Sequence, residues 1–340
     1  VREQFAYRIF KTEVFRGRGR NALSSEELLE NNSLFNYFQI MLKRLKGEIV
    51  HDNPSAILKA EHFNDSAPEL GDPCFLLSDY VVKNRVIEAL ISKGKYGDLD
   101  LLINADGSQE PLKDKAALRH YHVRMAFPET DNIIYLVAEI RGRSQAATDL
   151  LAQISYLHHK SVSKVNDNGI PFDYGAWYQF RPVPIVDGQK FSDTMATAEI
   201  TSLALMRWSL DDTGGRKSKK ISVKLSSLDL KGKQSVLSIL NQWAKNVNGG
   251  DSNLRKDSAH SVASIFPPGI LNPAAEWDNA SITMKEYGKS VTVSIDKLDK
   301  LFIYHTPELD DISFLWDEAD KRLQIISEAD GINIPHIDLL

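Results

Sequence analysis

The stretch His120–Lys160, HYHVRMAFPETDNIIYLVAEIRGRSQAATDLLAQISYLHHK, decides how the chain is read. Two apolar runs of strand length flank the turn-forming PETDN, and a segment of helical period follows. On the second run Glu139 and Arg141 lie two residues apart, so strand alternation puts both side chains on one face. The next three residues, Arg141-Gly142-Arg143, form a basic turn hinged on glycine that opens a helix, which suits contact with phosphate. A half-buried strand pair tied by an ordinary salt bridge would use the same residues.

Outward from this stretch, the pattern gives an α+β chain. Gln4–Phe15 alternates with aromatic residues on both faces, as a strand inside a sheet does. A basic RGRGR loop follows, and Ser24 or Ser25 caps a helix with Glu26 and Glu27 in its first turn. Phe35, Phe38, Met41, Leu42 and Leu45 form one face of a helix over Leu34–Lys46, stopped by Gly47. A strand is expected around Ile57–Phe63, a helix over Tyr80–Lys93 capped by Asp79, and a strand at Asp98–Asn104. Further strands are read at Trp177–Pro184, Ala198–Leu210, Ile221–Leu225 and Ser281–Ile295. Helices are read at Lys233–Val247 and over 307–330, with polar loops DDTGGRKSKK (211–220) and NGGDSNLRKDS (248–258) between them. Strands and helices without a strict βαβ rhythm predict mixed sheets flanked by helices. The turn chemistry of 161–170 divides the chain into an N-terminal domain, 1–160, and a C-terminal domain, 171–340, ending in an acidic helical tail.

The 340 residues can bury a sizeable core, and 42% hydrophobic with 26% charged residues argues against extensive disorder. No apolar run approaches the roughly 18 residues of a membrane span, and the charged VREQFAYRIFKTEVF reads as neither signal peptide nor anchor. The single cysteine, Cys74, excludes an intramolecular disulfide framework and a cysteine-based zinc site, and sits among apolar residues as a buried, inert thiol would. A cytoplasmic setting is the simplest expectation. The net charge is −5, yet residues 306–340 hold nine acids against two bases, which leaves 1–305 mildly basic. Such asymmetry fits either an acidic tail competing for a basic nucleic-acid surface or a solvated amphipathic helix.

Two constellations carry chemistry. In the first, Asp98 or Asp100 on one strand and Glu139 on another hold Mg²⁺ beside a scissile phosphate, Arg141 offsets charge, and Gln153 on the following helix assists. Arginine in place of lysine cannot exchange a proton there. In the second, basic residues recur on polar, glycine-bearing segments: Arg16, Arg18 and Arg20; Arg141 and Arg143; Arg216, Lys217, Lys219 and Lys220; Lys231 and Lys233; and Lys245 with Arg255 and Lys256. Glycine lets backbone approach phosphate, and long cations supply affinity without sequence readout. The pair His158-His159 reads as a helix end, whereas His120 and His122 would share a surface with Glu139 if the strands pair in that register. No phosphate-binding or nucleophile-elbow glycine motif stands in a strand-to-helix context.

The order strand, strand, helix around Asp98, Asp100, Glu139 and Arg141 is similar to the PD-(D/E)xK nucleases, which implies Mg²⁺-dependent cleavage by those residues. The segments YRIFKTEVF (7–15), VRMAF (123–127), IIYLVAEIRGR (133–143) and GKSVTVSIDKLDKLFIY (288–304) resemble uncharacterised prokaryotic proteins of phage-defence or prophage loci. That resemblance implies a part in phage–host conflict through nucleic acid. The leading expectation is therefore a nucleic-acid-binding protein of bacterial or phage origin, with DNA ahead of RNA. The alternatives are the Mg²⁺-dependent nuclease and an interaction subunit that assembles with a partner protein or with copies of itself.

Overall fold

The computed structural model describes residues 6–17, 34–50, 71–97, 116–129, 133–142, 144–165, 177–185, 199–210, 216–224, 230–246, 254–267, 277–286, 289–294, 302–306 and 312–335, with short pieces between them. In chain order the elements are β1 (Ala6–Arg16), α1 (Leu34–Leu45), β2 (Ile49–Val50), β3 (Pro73–Lys83), β4 (Val86–Tyr96), β5 (Leu101–Ile103), β6 (Gln109–Pro111), β7 (Ala116–Ala126), β8 (Ile134–Ile140) and α2 (Ala147–Val162). These are followed by β9 (Lys164–Val165), β10 (Pro171–Asp173), β11 (Tyr178–Pro184), β12 (Glu199–Leu210), β13 (Arg216–Lys224), α3 (Leu230–Asn246) and α4 (Leu254–Ala263). The last are β14 (Asn279–Glu286), β15 (Lys289–Val293), β16 (Tyr304–His305) and α5 (Ile312–Asp330).

The chain is α+β, as its pattern predicts. Its ladders are antiparallel rather than mixed: the main sheet runs β11-β1-β8-β7-β4-β3-β2, with β16 also on β1, and a smaller one runs β13-β12-β14-β15. Tight hairpins impose this direction on β3–β4 and on β14–β15. The segment expected to be a helix over Tyr80–Lys93 is the β3–β4 hairpin, turned at Asn84 and Arg85, both at positive φ (49° and 58°). Two successive left-handed residues match the right-handed strand twist, and Asn tolerates that region best after glycine. Val81, Val82, Val86 and Ile87 are β-branched, which favours the strand outcome. The segment Ser281–Ile295 likewise makes a hairpin, β14–β15, and part of the expected loop 248–258 forms the start of α4. The strand expected at Ile57–Phe63 and the helix capped by Ser24 or Ser25 lie outside the described residues.

Two compact units result: residues 1–184 with 304–340, and residues 185–303. This division differs from the boundary expected at 161–170. β11 lies past that boundary, yet it pairs with β1 from Phe10↔Pro184 to Arg16↔Tyr178. The chain then returns at β16, where Ala6 and Tyr7 pair with His305 and Tyr304. Such long-range register has no local sequence signal.

In the first unit, one face of the main sheet packs on α1 and α2 in a core that includes Phe38, Leu42, Ile87, Ile91, Val123, Met125, Leu136, Leu150 and Ile154. The opposite face carries Leu90, His122, Arg124, Val137 and Glu139, the alternating set on the same strands. Helix α5 covers part of this face. Arg124, 1% exposed, lies under Trp316 (4.5 Å), donates to both oxygens of Asp320 (2.7 Å each), and donates through Nε to Glu88 (2.9 Å). Leu315, Trp316, Ala319, Leu323 and Ile326 make the buried stripe of α5. The acidic tail is thus packed amphipathic helix, with one of its acids spent on a buried arginine. The second unit has its own core, built around Leu203, Leu205, Val236, Leu240, Val262, Ile282 and Met284.

Helix α2 also covers the edge of the main sheet. The outward N–H of Tyr178 donates to His158 Nδ1 (3.0 Å) and that of Phe180 to Ser155 Oγ (3.0 Å), so helix side chains satisfy groups that an edge strand leaves open. His158 stacks on Tyr178 and meets Tyr37 edge-on. Burial, helped by neighbouring His159, pulls the His158 imidazole down to about 4, which keeps Nδ1 an acceptor. An unfolded histidine binds its proton near pH 6.5. Between pH 6.5 and about 4 the unfolded chain therefore carries the extra proton, and stability is lost as pH falls through that window. The melting temperature should decline on acidification from pH 7 to 5, above the range of ordinary carboxylates. His158→Gln, followed by calorimetry at the same pH values, should flatten that decline.

Candidate functional site

The strands β7 and β8 pair only from Val123↔Ala138 to Ala126↔Tyr135. Beyond this each stays with its other neighbour: β8 follows β1 to Ala6↔Ile140, and β7 follows β4 to Tyr96↔Ala116. The main sheet therefore forks at His122 and Glu139. At a fork the backbone groups that face each other lose their ladder partners and need substitutes. Glu139 supplies one, because the His122 N–H that the ladder would have used donates to Glu139 Oε2 (2.9 Å).

That carboxylate holds the site together. Glu139 is 0% exposed; its Oε2 also meets His122 Nδ1 (3.0 Å) and its Oε1 accepts from Arg141 Nε (2.7 Å). Burial by itself pushes the carboxyl up, but the His122 ring, the His122 N–H and Arg141 outweigh it and hold Glu139 below the usual carboxylate range. An ionised Oε2 between two donors fixes the His122 tautomer with its proton on Nδ1. The ring is 30% exposed and meets Trp316 of α5 edge-on at 6.5 Å. The Arg141 side chain, 28% exposed, follows at once in the turn, where Arg141 and Ser144 exchange both backbone hydrogen bonds around Gly142 at φ +65°.

One step further out, His120 stands opposite Ser92 in the β4–β7 register, and its Nδ1 lies 2.7 Å from Ser92 Oγ. The hydroxyl of Ser92, a buried residue, is in turn 2.7 Å from Ser78 Oγ. His120 and His122 thus share a face, each ring tied at Nδ1 by a buried group of a neighbouring strand. Among the described residues neither Nε2 has a protein partner.

Of the residues read as a metal-dependent centre, the structure brings Glu139 and Arg141 together on one strand face, as alternation predicts. Asp98 and Asp100 lie outside the described residues. Glu139 spends both oxygens on N–H donors, and among the described residues no group of three or more His, Cys, Asp or Glu is placed to hold a metal ion. The residues described do not by themselves form a Mg²⁺ site. Gln153 is fully buried in α2, and its amide has no hydrogen-bond partner among the described residues. The start of α2 is already occupied: Gln145 Oε1 accepts the N–H of Ala147 and Thr148, and Asp149 sits in the first turn, held by Lys93 (2.6 Å). Cys74 is buried and burial pushes its thiol up, as an inert thiol requires.

The basic residues fall in several settings. Arg16 is exposed at the end of β1, while Arg18, Arg20 and Arg143 lie outside the described residues. Arg216, Lys217, Lys219 and Lys220, expected in a loop, belong to β13, at the edge of the four-stranded sheet, opposite Leu210, Ser209, Arg207 and Met206 of β12. Lysine is a common guard of such edges against further pairing. Lys231 and Lys233 fall in the first turn of α3. What the sequence reading left open was the pairing of His122 with Glu139, for its signal is the register of a ladder that ends one residue earlier.

The chain matches no protein-family model, no curated protein and no solved structure. Glu139→Leu removes the acceptor of three N–H donors and should cost about 2–4 kcal/mol in urea unfolding. Glu139→Gln keeps one oxygen for His122 and should cost roughly half of that.

Proposed function

We propose that the protein binds nucleic acid through its phosphates, with the Arg16-Gly17-Arg18-Gly19-Arg20 loop as the leading contact. The observation that carries this reading is the way the loop is fastened. The chain leaves β1 at Arg16 and returns beside it, with Phe15 bridged to Ala22 and the Leu23 N–H donating to the Val14 carbonyl (2.8 Å). Within the turn, Gly17 N–H donates to the Trp177 carbonyl (2.7 Å) and Gly19 N–H to the Arg16 carbonyl (2.9 Å).

Both glycines are required by that geometry. Gly17 adopts φ +55°, and a Cβ on Gly19 would stand 2.8 Å from the Arg16 carbonyl oxygen, closer than real Cβ contacts. The alternation of arginine with glycine thus puts three cations within five residues of sequence, of which Arg16 stands exposed at the end of β1. A fourth, Arg181, lies over the Phe15 ring (4.0 Å), is oriented by Gln179, and donates to the Gly19 carbonyl (3.3 Å). The acid Glu13 stands opposite Arg181 in the register and moderates this charge without cancelling it. A fastened loop loses little conformational entropy on meeting a phosphate, and arginine grips phosphate with two parallel donors. The four sequence segments similar to proteins of phage-defence and prophage loci support a role in phage–host conflict.

Affinity for random duplex and single-stranded DNA and for RNA, measured at two salt concentrations, tests the proposal. Replacing Arg16, Arg18 and Arg20 together by Gln should weaken binding about equally across sequences. It should also make the slope of log K against log salt shallower by about 2–3. Undetectable binding at low salt, or an unchanged slope in the triple variant, would remove this reading.

A further inference from the structure

Resting on that nucleic-acid reading, we infer that the sheet fork is a catalytic site that cleaves RNA by proton transfer, with His122 and His120 as the base and acid and Arg141 as the anion-stabilising cation. The three side chains are gathered by two buried groups. Glu139 holds His122 through Nδ1 and Arg141 through Nε on its two oxygens, so a single carboxylate separates the ring from the guanidinium. Ser92 holds His120 through Nδ1.

Three features point to proton transfer at a phosphodiester rather than to plain structural packing. First, each imidazole is anchored at Nδ1 and keeps Nε2 without a protein partner among the described residues, which is how a ring is arranged when Nε2 exchanges protons with a bound molecule. Second, the rings are drawn to opposite sides. His122 is tied toward β8 and His120 toward β4, while their positions on β7 are roughly 6.6 Å apart along the strand. Two rings held apart in this way can flank one phosphorus, and among the described residues no group of three or more His, Cys, Asp or Glu is placed to hold a metal ion there. Third, Glu139 lies fully buried behind His122, where it stabilises the imidazolium that forms when the ring takes a proton. Arg141 is the cation at the same level, where charge grows on the non-bridging oxygens.

RNA is the substrate class because it brings its own nucleophile. His122 Nε2 takes the proton of a 2′-hydroxyl, and O2′ forms a bond to the adjacent phosphorus. The P–O5′ bond breaks, and the leaving O5′ takes a proton from His120 Nε2. The products are a 2′,3′-cyclic phosphate and a 5′-hydroxyl end. No oxidant, metal or water is consumed, and the two rings recover their starting protonation by exchange with solvent. DNA lacks the 2′-hydroxyl and is not cleaved by this route. Glu139 and Ser92 are positioning residues. Among the described residues the charged groups around His122 are Glu139 and Arg141 at its own level, and Arg124, Glu88 and Asp320 one step along the sheet face.

The full chain is incubated with end-labelled single-stranded RNA and DNA in excess EDTA, with binding of both followed in parallel by fluorescence anisotropy at low salt. The expected result is RNA cleavage to cyclic-phosphate ends, with DNA bound but intact. His122→Asn, whose side-chain amide can still donate to Glu139, and His120→Asn should each slow cleavage at least about 100-fold without loss of binding. The conservative Glu139→Gln should lower kcat by less and leave KM unchanged, because the amide no longer stabilises the imidazolium that forms during the reaction. RNA bound but uncleaved in EDTA, or His122→Asn as active as the parent, overturns the inference and leaves the binding proposal standing. Neither binding nor cleavage overturns both.

Discussion

A single buried carboxylate closes the gap where the main sheet parts. Without Glu139 the fork between β7 and β8 would leave the His122 N–H without the acceptor it uses, and Arg141 would lose its tie to the strand before it. A buried charge is costly unless every lone pair facing protein meets a donor. Here the His122 ring, the His122 N–H and the Arg141 guanidinium meet that need, and the same three donors define what the fork presents outward. Folding and chemistry thus depend on the same residue.

The two faces of the main sheet are built by different means. One is an apolar layer under α1 and α2, where alternation delivers Ile87, Ile91, Val123, Met125 and Leu136 to one core. The other joins polar rows under α5, where Arg124 is enclosed by Trp316, Asp320 and Glu88. The apolar side is stabilised by area, at about 1.5–3 kcal/mol for each large buried side chain. The polar side adds less net energy, but its bonds are directional and fix the rotation of His120 and His122. That division explains why the groups suited to chemistry lie on the α5 face.

Local periodicity made much of the fold legible. β1, α1, β7, β8 and α2 fall where alternation and helical spacing put them, and Gly47 ends α1 at φ +82°. The failures have physical causes. Tyr80–Lys93 carries apolar residues at spacings that suit either period, and the Asn84-Arg85 turn that settles the matter has no glycine to announce it. β11 lies beyond the boundary that the turn chemistry of 161–170 predicts because its partner, β1, is some 170 residues earlier in the sequence, a separation no local pattern encodes. At the site, the common face of Glu139 and Arg141 followed from alternation alone. The partnership of Glu139 with His122 did not, because it arises where a ladder ends. The basic run at 216–220 reads as loop by composition, yet it is the edge of a hairpin, where charge and strand are compatible.

The central claim is that an ionised Glu139 sets the proton of His122 on Nδ1 and turns Nε2 outward. Imidazole ¹⁵N chemical shifts of the full chain, with His122 assigned through His122→Asn, measure this directly at a pH where the ring is neutral. The account predicts a protonated Nδ1 and a bare Nε2, exchanged for a mixture of tautomers in Glu139→Leu. A proton on Nε2, with Nδ1 bare and accepting from a neutral Glu139, would contradict it.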